Sequence, residues 1–451
     1  MFAVYVLFCL VAALYMARKT DQPILGFIFL FWLLASPTLT TQFKLYIPGV
    51  PFDLRINRIL FFALAGFLFY ALLRDYPANW RSNKLYFYEK TLFVYLGLVF
   101  LSLIYNQSNI EFKTIFSVTW EILTFILVYF ISKRYIRQGV YNKLLKAILI
   151  LAVITSIISI IQFFISNDLY RISPEQTRMA FGGKLRSTGV FQNEYEQGYF
   201  LILAIFVLLS TPRFKLRLPL LGVFVLGVVL AFHRVDMVIL AIVFLLYFLW
   251  FKPKFFMLFF SGLLLAGSFL GGMYVVYEDS ILKSSVVKER LSQDSGGRLN
   301  QFSSVIDKMP DKPLGYGAYK NTEYVQLMIR AGSYISYVDD DGEWHKQPLT
   351  VHNGYLAVGT KYGPVTMLVF IAFMLSLLIQ FKKLSLKQNP RTFIPFIMIM
   401  IWALANMTNG IEHFRAHFVL LLGILCGSYV GLYHTNMQQL IAERCKRQVS
   451  D

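Results

Sequence analysis

The chain has 451 residues, of which 57% are hydrophobic and 17% aromatic, while only 15% are charged, against the roughly 25% of a soluble domain. That balance excludes an ordinary soluble enzyme and predicts an integral membrane protein. The formal charge of +18 comes from Lys and Arg scattered among short connections, so a nucleic-acid reading, which needs a contiguous basic face on a soluble fold, is excluded as well.

A hydrocarbon core about 30 Å thick takes about 20 helical residues. Stretches of that order recur at 1–16, 23–41, 59–73, 91–105, 115–132, 147–165, 197–210, 219–233, 235–251, 255–277, 353–381, 392–411 and 417–434. The expectation is an all-α polytopic protein of about thirteen spans, with roughly twelve to fourteen allowed by merged ends, in one membrane domain over 1–451. The first stretch lacks the basic start and small-residue cleavage site of a signal peptide and reads as a helix. Alternate connections are basic: Arg18/Lys19, Arg74/Arg81/Lys84, Lys133/Arg134/Arg137/Lys143, Arg213/Lys215/Arg217, Lys252/Lys254, Lys382/Lys383/Lys387/Arg391 and Arg444/Lys446/Arg447. These should face the cytoplasm, which puts the N-terminus outside and the 435–451 tail inside, with Lys44, Arg55 and Arg58 as a local exception.

Two outer connections are long enough for chemistry, 166–196 and 278–351. The second holds a helix-spaced apolar stripe from Arg298 to Met309 (Leu299, Phe302, Val305, Ile306, Met309), ended by Pro310 and Pro313. Such a helix either lies on the outer leaflet over a lateral opening or packs on the other helices. Further on, apolar alternation flanks Asp339, Asp340, Asp341 and Gly342 and predicts a small hairpin. With Glu343 and His345 the aspartates could hold a cation, but the run lacks the continuation of a calcium loop and reads as a solvated turn. Glu412, His413, Arg415 and His417 line a short outer loop.

Three polar residues stand out on that side. Arg186 precedes one span, Arg234 (beside His233) sits in a tight turn between two, and His352 opens another. Arginine near the membrane is costly unless it snorkels or is paired, and Asp236 is the acid in reach of Arg234. A histidine at the water–lipid boundary is either a satisfied structural ring or a general base. Cys9, Cys426 and Cys445 form neither a disulfide framework nor a metal cluster, and the chain lacks a Gly-rich phosphate loop. No cofactor and no metal are expected.

His352 and Asn353, nine residues, Gly363, two residues and Thr366 fit the pattern H-[N/S/Q]-x9-G-x2-[G/T/Y]. Together with R-S-T-G-V-F-Q-N-E-Y from Arg186 to Tyr195, and with GGRLNQF (296–302) followed by KPLGYG (312–317), it resembles the O-antigen ligase and polysaccharide polymerase superfamily of bacterial membrane glycosyltransferases. His233-Arg234-Val235 stands where that superfamily usually has S-R-G, with Val in place of Gly. The elements cover roughly 180–370.

The resemblance implies a GT-C-like membrane fold with one large periplasmic loop, in the bacterial cytoplasmic membrane, with the site facing outward. It implies a polyprenyl-diphosphate-linked glycan donor gripped by Arg186 and Arg234, and His352 as the base that deprotonates the acceptor sugar hydroxyl, without metal and with inversion. Asn353, Asn193, Arg298 and Arg58 are supporting candidates. The acceptor is a sugar on a second lipid carrier for a polymerase, the favoured reading, or lipid A core for a ligase; membrane lipids and a chain-length regulator or flippase are the further partners. A lipid-linked oligosaccharide transporter is the reading from another class, and it calls for polar groups through the membrane depth and internal repeats, which the sequence does not display.

Overall fold

The computed structural model describes residues 85–110, 112–135, 138–165, 185–191, 193–211, 215–257, 295–317, 321–330, 334–338, 344–348, 351–386, 389–408 and 418–433, with positions 11, 14, 18, 44–45, 54–55, 260–261 and 265 besides. In chain order the helices are α1 (Phe87–Tyr105), α2 (Phe112–Tyr135), α3 (Gln138–Phe164), α4 (Glu194–Ser210), α5 (Arg217–Leu230), α6 (Arg234–Phe251), α7 (Ser295–Lys308), α8 (Thr322–Arg330), α9 (Gly354–Tyr362), α10 (Pro364–Leu384), α11 (Ile394–Thr408) and α12 (Phe418–Tyr433). Among the described residues five helices are long and apolar enough to cross a membrane, and α5 and α12 are apolar but shorter. The chain is a multi-pass α-helical membrane protein. The expected spans 1–16, 23–41 and 59–73, most of 255–277, and the 435–451 tail fall outside the described residues.

α4 is the hub. It packs against α3, α5, α6 and α11, and Tyr199 through Leu208 are all buried. A helix apolar on every side can only be satisfied at the centre of a bundle. α12 lies tightly on α2 because Gly427 and Gly431 present bare Cα atoms to it: an added Cβ would overlap the carbonyl oxygens of Tyr129 and Lys133. Small residues four apart bring helix backbones this close where lipid gives no hydrophobic drive.

One expected span is corrected. The stretch 353–381 is two helices, α9 and α10, broken at Gly363, whose φ of 96° is left-handed, followed by Pro364 at the start of α10. Pro364 cannot donate to the α9 ladder, and glycine alone tolerates the turn. Into this elbow fits the P-L-G-Y-G segment: Tyr316 N–H donates to Thr360 O (3.0 Å) and Gly317 N–H to Lys361 O (2.6 Å). From α1, Ser102 Oγ donates to Leu314 O (2.5 Å) and Asn106 Nδ2 to Gly315 O (3.3 Å). A Cβ on Gly363 would overlap the Pro313 carbonyl oxygen. Gly363→Ala is therefore expected to destabilise the fold by roughly 2–5 kcal/mol, from a strained φ plus overpacking, read as a lowered melting temperature in detergent.

Helix α7 packs on α9 and α8, and its apolar stripe is used in that packing. Val305 and Met309 are buried with Tyr316, Tyr324, Met328, Val351 and Ala357 in a small satellite core, with Phe302 at its edge, whereas Ile306 is exposed. Lys312, paired with Glu323 and set over the Tyr316 ring (5.7 Å), ties α8 to the P-L-G-Y-G strap; the hydrogen bond to Glu323 holds its amine above the ordinary value. Two strands flank the Asp-rich run, β3 (Tyr334–Val338) and β4 (Trp344–Pro348), paired antiparallel with Val338 opposite Trp344. The aspartates between them fall outside the described residues. A second, two-residue pair joins Lys44–Leu45 to Leu54–Arg55.

At the start of α1, Glu89 is a buried carboxylate that accepts from Tyr86 N–H (2.8 Å), Tyr129 Oη (2.6 Å) and Lys133 Nζ (2.6 Å). Glu89 is 1% and Lys133 9% exposed. Such a pair holds α1 to α2 only while both ions are present. Lys133→Met is expected to cost about 3–5 kcal/mol, whereas Lys133→Met with Glu89→Gln together should recover most of it, as checked by melting curves of the three variants.

Candidate functional site

The segment 185–191 is buried irregular backbone, so its polar groups need partners from the helices around it. Gln162 on α3 supplies them: its Oε1 accepts from the N–H groups of Thr188 and Gly189 (2.9 Å each), and its Nε2 donates to Gly189 O (3.2 Å). Ser187 N–H donates to Leu230 O at the end of α5 (3.1 Å). Gln197 on α4 donates to Ser187 Oγ (3.2 Å) and Gly227 O (2.7 Å). Thus fixed, the segment presents Arg186, whose Nη1 donates to Glu194 Oε1 (3.1 Å) in the first turn of α4; the two side chains are 11% and 10% exposed.

The α5–α6 turn runs beside this segment. Phe232 has a φ of 48°, the one non-glycine residue with positive φ among the described residues, and its ring stacks on Phe163 (5.5 Å). A bulky residue in the left-handed region is strained and needs its surroundings to hold it. The strained turn delivers His233 and Arg234 to the start of α6. His233 Nδ1 lies 2.6 Å from Asp236 Oδ1, so the carboxylate expected to serve Arg234 is engaged by the histidine. The reason is helical: an N-cap and the third residue after it face each other, whereas residues two apart do not. Asp236 is fully buried, and Arg234 at the helix start is exposed.

His352 precedes α9. Its N–H donates to Gln301 Oε1 on α7 (3.3 Å), and its neighbour Asn353 caps α9, Oδ1 accepting from Leu356 N–H (3.0 Å) while Nδ2 donates to Met407 O (3.0 Å). Asn406 is fully buried next to Gly354; its Nδ2 donates to Trp402 O (3.0 Å), and its Oδ1 has no hydrogen-bond partner among the described residues. An orphaned buried amide oxygen beside a site residue is costly and marks a place where a ligand or water hydroxyl would be welcome.

These groups share one end of the bundle. Trp250, at the end of α6, packs on Phe393, just before α11, and on Phe396 in its first turn (5.1 and 5.6 Å), so the two helices run antiparallel. The start of α6 then lies at the finish of α11, where Asn406 and Met407 meet Asn353 and Gly354. α4 runs parallel to α6, Gly198 abutting Asp236 and Leu209 O accepting from Tyr247 Oη (3.1 Å), which brings Glu194 and Arg186 to the same end. Guanidinium groups there suit phosphate oxygens, and a nearby imidazole suits proton removal.

Of the residues expected at the site, Arg186, Arg234, His352, Asn193 and Asn353 are all at this end. Asn193 precedes α4 and donates to Tyr195 Oη (2.8 Å). Arg298 lies in the first turns of α7, the helix whose Gln301 holds the His352 backbone. Arg58 and the 412–417 loop fall outside the described residues. Sequence reasoning missed Glu194, Asn406 and the His233–Asp236 pair as site groups. Glu194 and Asp236 were signalled by acids in the first turn of an apolar helix, where the helix dipole favours them; Asn406 was signalled by a lone amide in an otherwise apolar span.

A family model described as O-Antigen ligase matches residues 219–371, the stretch from α5 into α10 that carries Arg234, Arg298 and His352. No curated protein matches the chain.

Proposed function

We propose that this member of the O-antigen ligase and polymerase superfamily is a glycosyltransferase that moves glycan from a polyprenyl-diphosphate carrier to an acceptor sugar hydroxyl at the outer face of the cytoplasmic membrane. Arg186 and Arg234 bind the donor diphosphate and stabilise it as it leaves with growing charge. His352 takes the acceptor hydroxyl proton while that oxygen attacks the anomeric carbon, the carbon–oxygen bond to the diphosphate breaks, and the carrier departs as the free diphosphate. Inversion at the anomeric carbon follows from a single displacement, and the sugar–diphosphate bond supplies the driving force without a nucleotide or a metal. The observation that carries this reading is the gathering of Arg186, Arg234 and His352 at one end of the bundle from three separate parts of the sequence. Asn353 and Arg298 support His352 through the α9 cap and α7, and Asn193 supports the α4 start.

Polymerisation of O-antigen, capsule or exopolysaccharide repeat units is favoured over ligation to lipid A core, because the R-L-N-Q-F and P-L-G-Y-G elements look more like the polymerase branch. Reconstitution with a polyprenyl-diphosphate repeat unit as sole donor, with and without lipid A core, tests both. Chain growth without core supports polymerase; transfer only to core means ligase; movement across the bilayer without bond formation sinks the enzyme reading.

A further inference from the structure

His233 and Asp236 form a buried couple that the mechanism above leaves unused. Asp236 is fully buried, and its Oδ1 is 2.6 Å from His233 Nδ1. Its Oδ2 has no hydrogen-bond partner among the described residues and lies against Gly198, where a Cβ would overlap it. A buried carboxylate held by one hydrogen bond depends on the side chain that makes it. The imidazole, 13% exposed, is walled by the rings of Tyr195 and Tyr199, each centred 6.3 Å away. It is also the residue next to Arg234, on the strained turn.

The charged and titratable groups on the elements around the ring are Arg186 on the preceding segment, Glu194, Tyr195, Glu196 and Tyr199 on α4, and Arg234 and Asp236 on α6. Those elements carry two guanidinium groups against three carboxylates. A doubly anionic ligand meets a site short of positive charge unless the imidazole carries a proton.

We propose that His233, held by Asp236, is a third cationic group of the donor diphosphate site and takes up a proton as the donor binds. The inference rests on the donor-site reading above. By linkage, a ligand that favours the protonated ring binds more weakly once the proton must be taken from a more alkaline solution. Donor affinity is then highest at low pH and is lost as pH rises through neutrality. His233 acts here as a positioning residue, since it holds charge for the donor and transfers no group.

The test measures binding of farnesyl-diphosphoryl N-acetylglucosamine to the full chain in nanodiscs, in a His352→Ala background so that neither turnover nor that histidine contributes. Such a diester carries two charges and has no group that titrates near neutrality. The expected result is a Kd that rises roughly tenfold between about pH 6 and pH 8. His233→Gln, which can still donate to Asp236 but cannot take a proton, should bind weakly and equally at all these pH values with an unchanged melting temperature. A Kd that rises with pH equally in both proteins, or that is flat in both, overturns the role of His233. Failure of the His233-bearing protein to bind at any pH overturns the donor-site reading itself.

Discussion

Replacement of His352 by Ala should lower glycan transfer by about 10²–10⁴-fold, the range supplied by a positioned general base, with the melting temperature unchanged. Stability should be spared because the backbone N–H of residue 352, which donates to Gln301, is retained by alanine, and because the α9 cap belongs to Asn353. The two effects are read side by side, product formation in proteoliposomes and unfolding in detergent. Transfer that persists at the original rate removes His352 as the base, and a protein that no longer unfolds cooperatively makes it a structural residue instead.

Arg186 should behave differently, because it is half of a buried pair. Arg186→Ala leaves Glu194, 10% exposed, without its guanidinium and is expected to cost about 3–5 kcal/mol of stability, together with roughly 10²–10³-fold in transfer from the lost donor contact. Arg186→Ala with Glu194→Ala removes the orphaned charge, so stability should return while activity does not. Lysine at 186 keeps a charge but loses the planar fork, and should fold well and transfer poorly. If the double variant regains activity with its stability, Arg186 holds the fold together and does not bind the donor.

Much of this architecture was readable because hydropathy, periodicity and turn chemistry are local. The limits of α4, α6 and α12 fall within a few residues of the hydropathy-defined spans, the stripe at Phe302, Val305 and Met309 is a helix with those residues turned inward, and the strands around the Asp-rich run pair as the alternation requires. The break at Gly363 was in plain view as Gly-Pro, but averaging over an apolar window hides a single punctuating residue. Partner choice was not legible. That Asp236 engages His233, that Glu194 meets Arg186, and that Asn406 backs Gly354 depends on side-chain direction on a helix end and on packing between segments far apart in sequence. Gly427 and Gly431 were equally silent until α12 was seen against α2.

The strap at the α9–α10 elbow also bears on how the protein is made. With nine residues, α9 rises about 13.5 Å, less than half of a hydrocarbon core about 30 Å thick. It cannot enter the bilayer as an independent stop-transfer segment. The carbonyls of Thr360 and Lys361 that finish it are satisfied by Tyr316 and Gly317, residues synthesised earlier, in the connection between α6 and α9. Assembly is therefore ordered: this segment must settle against α1 before the stretch bearing His352 has a template to dock on, and the arrangement around His352 is complete only with that late docking step.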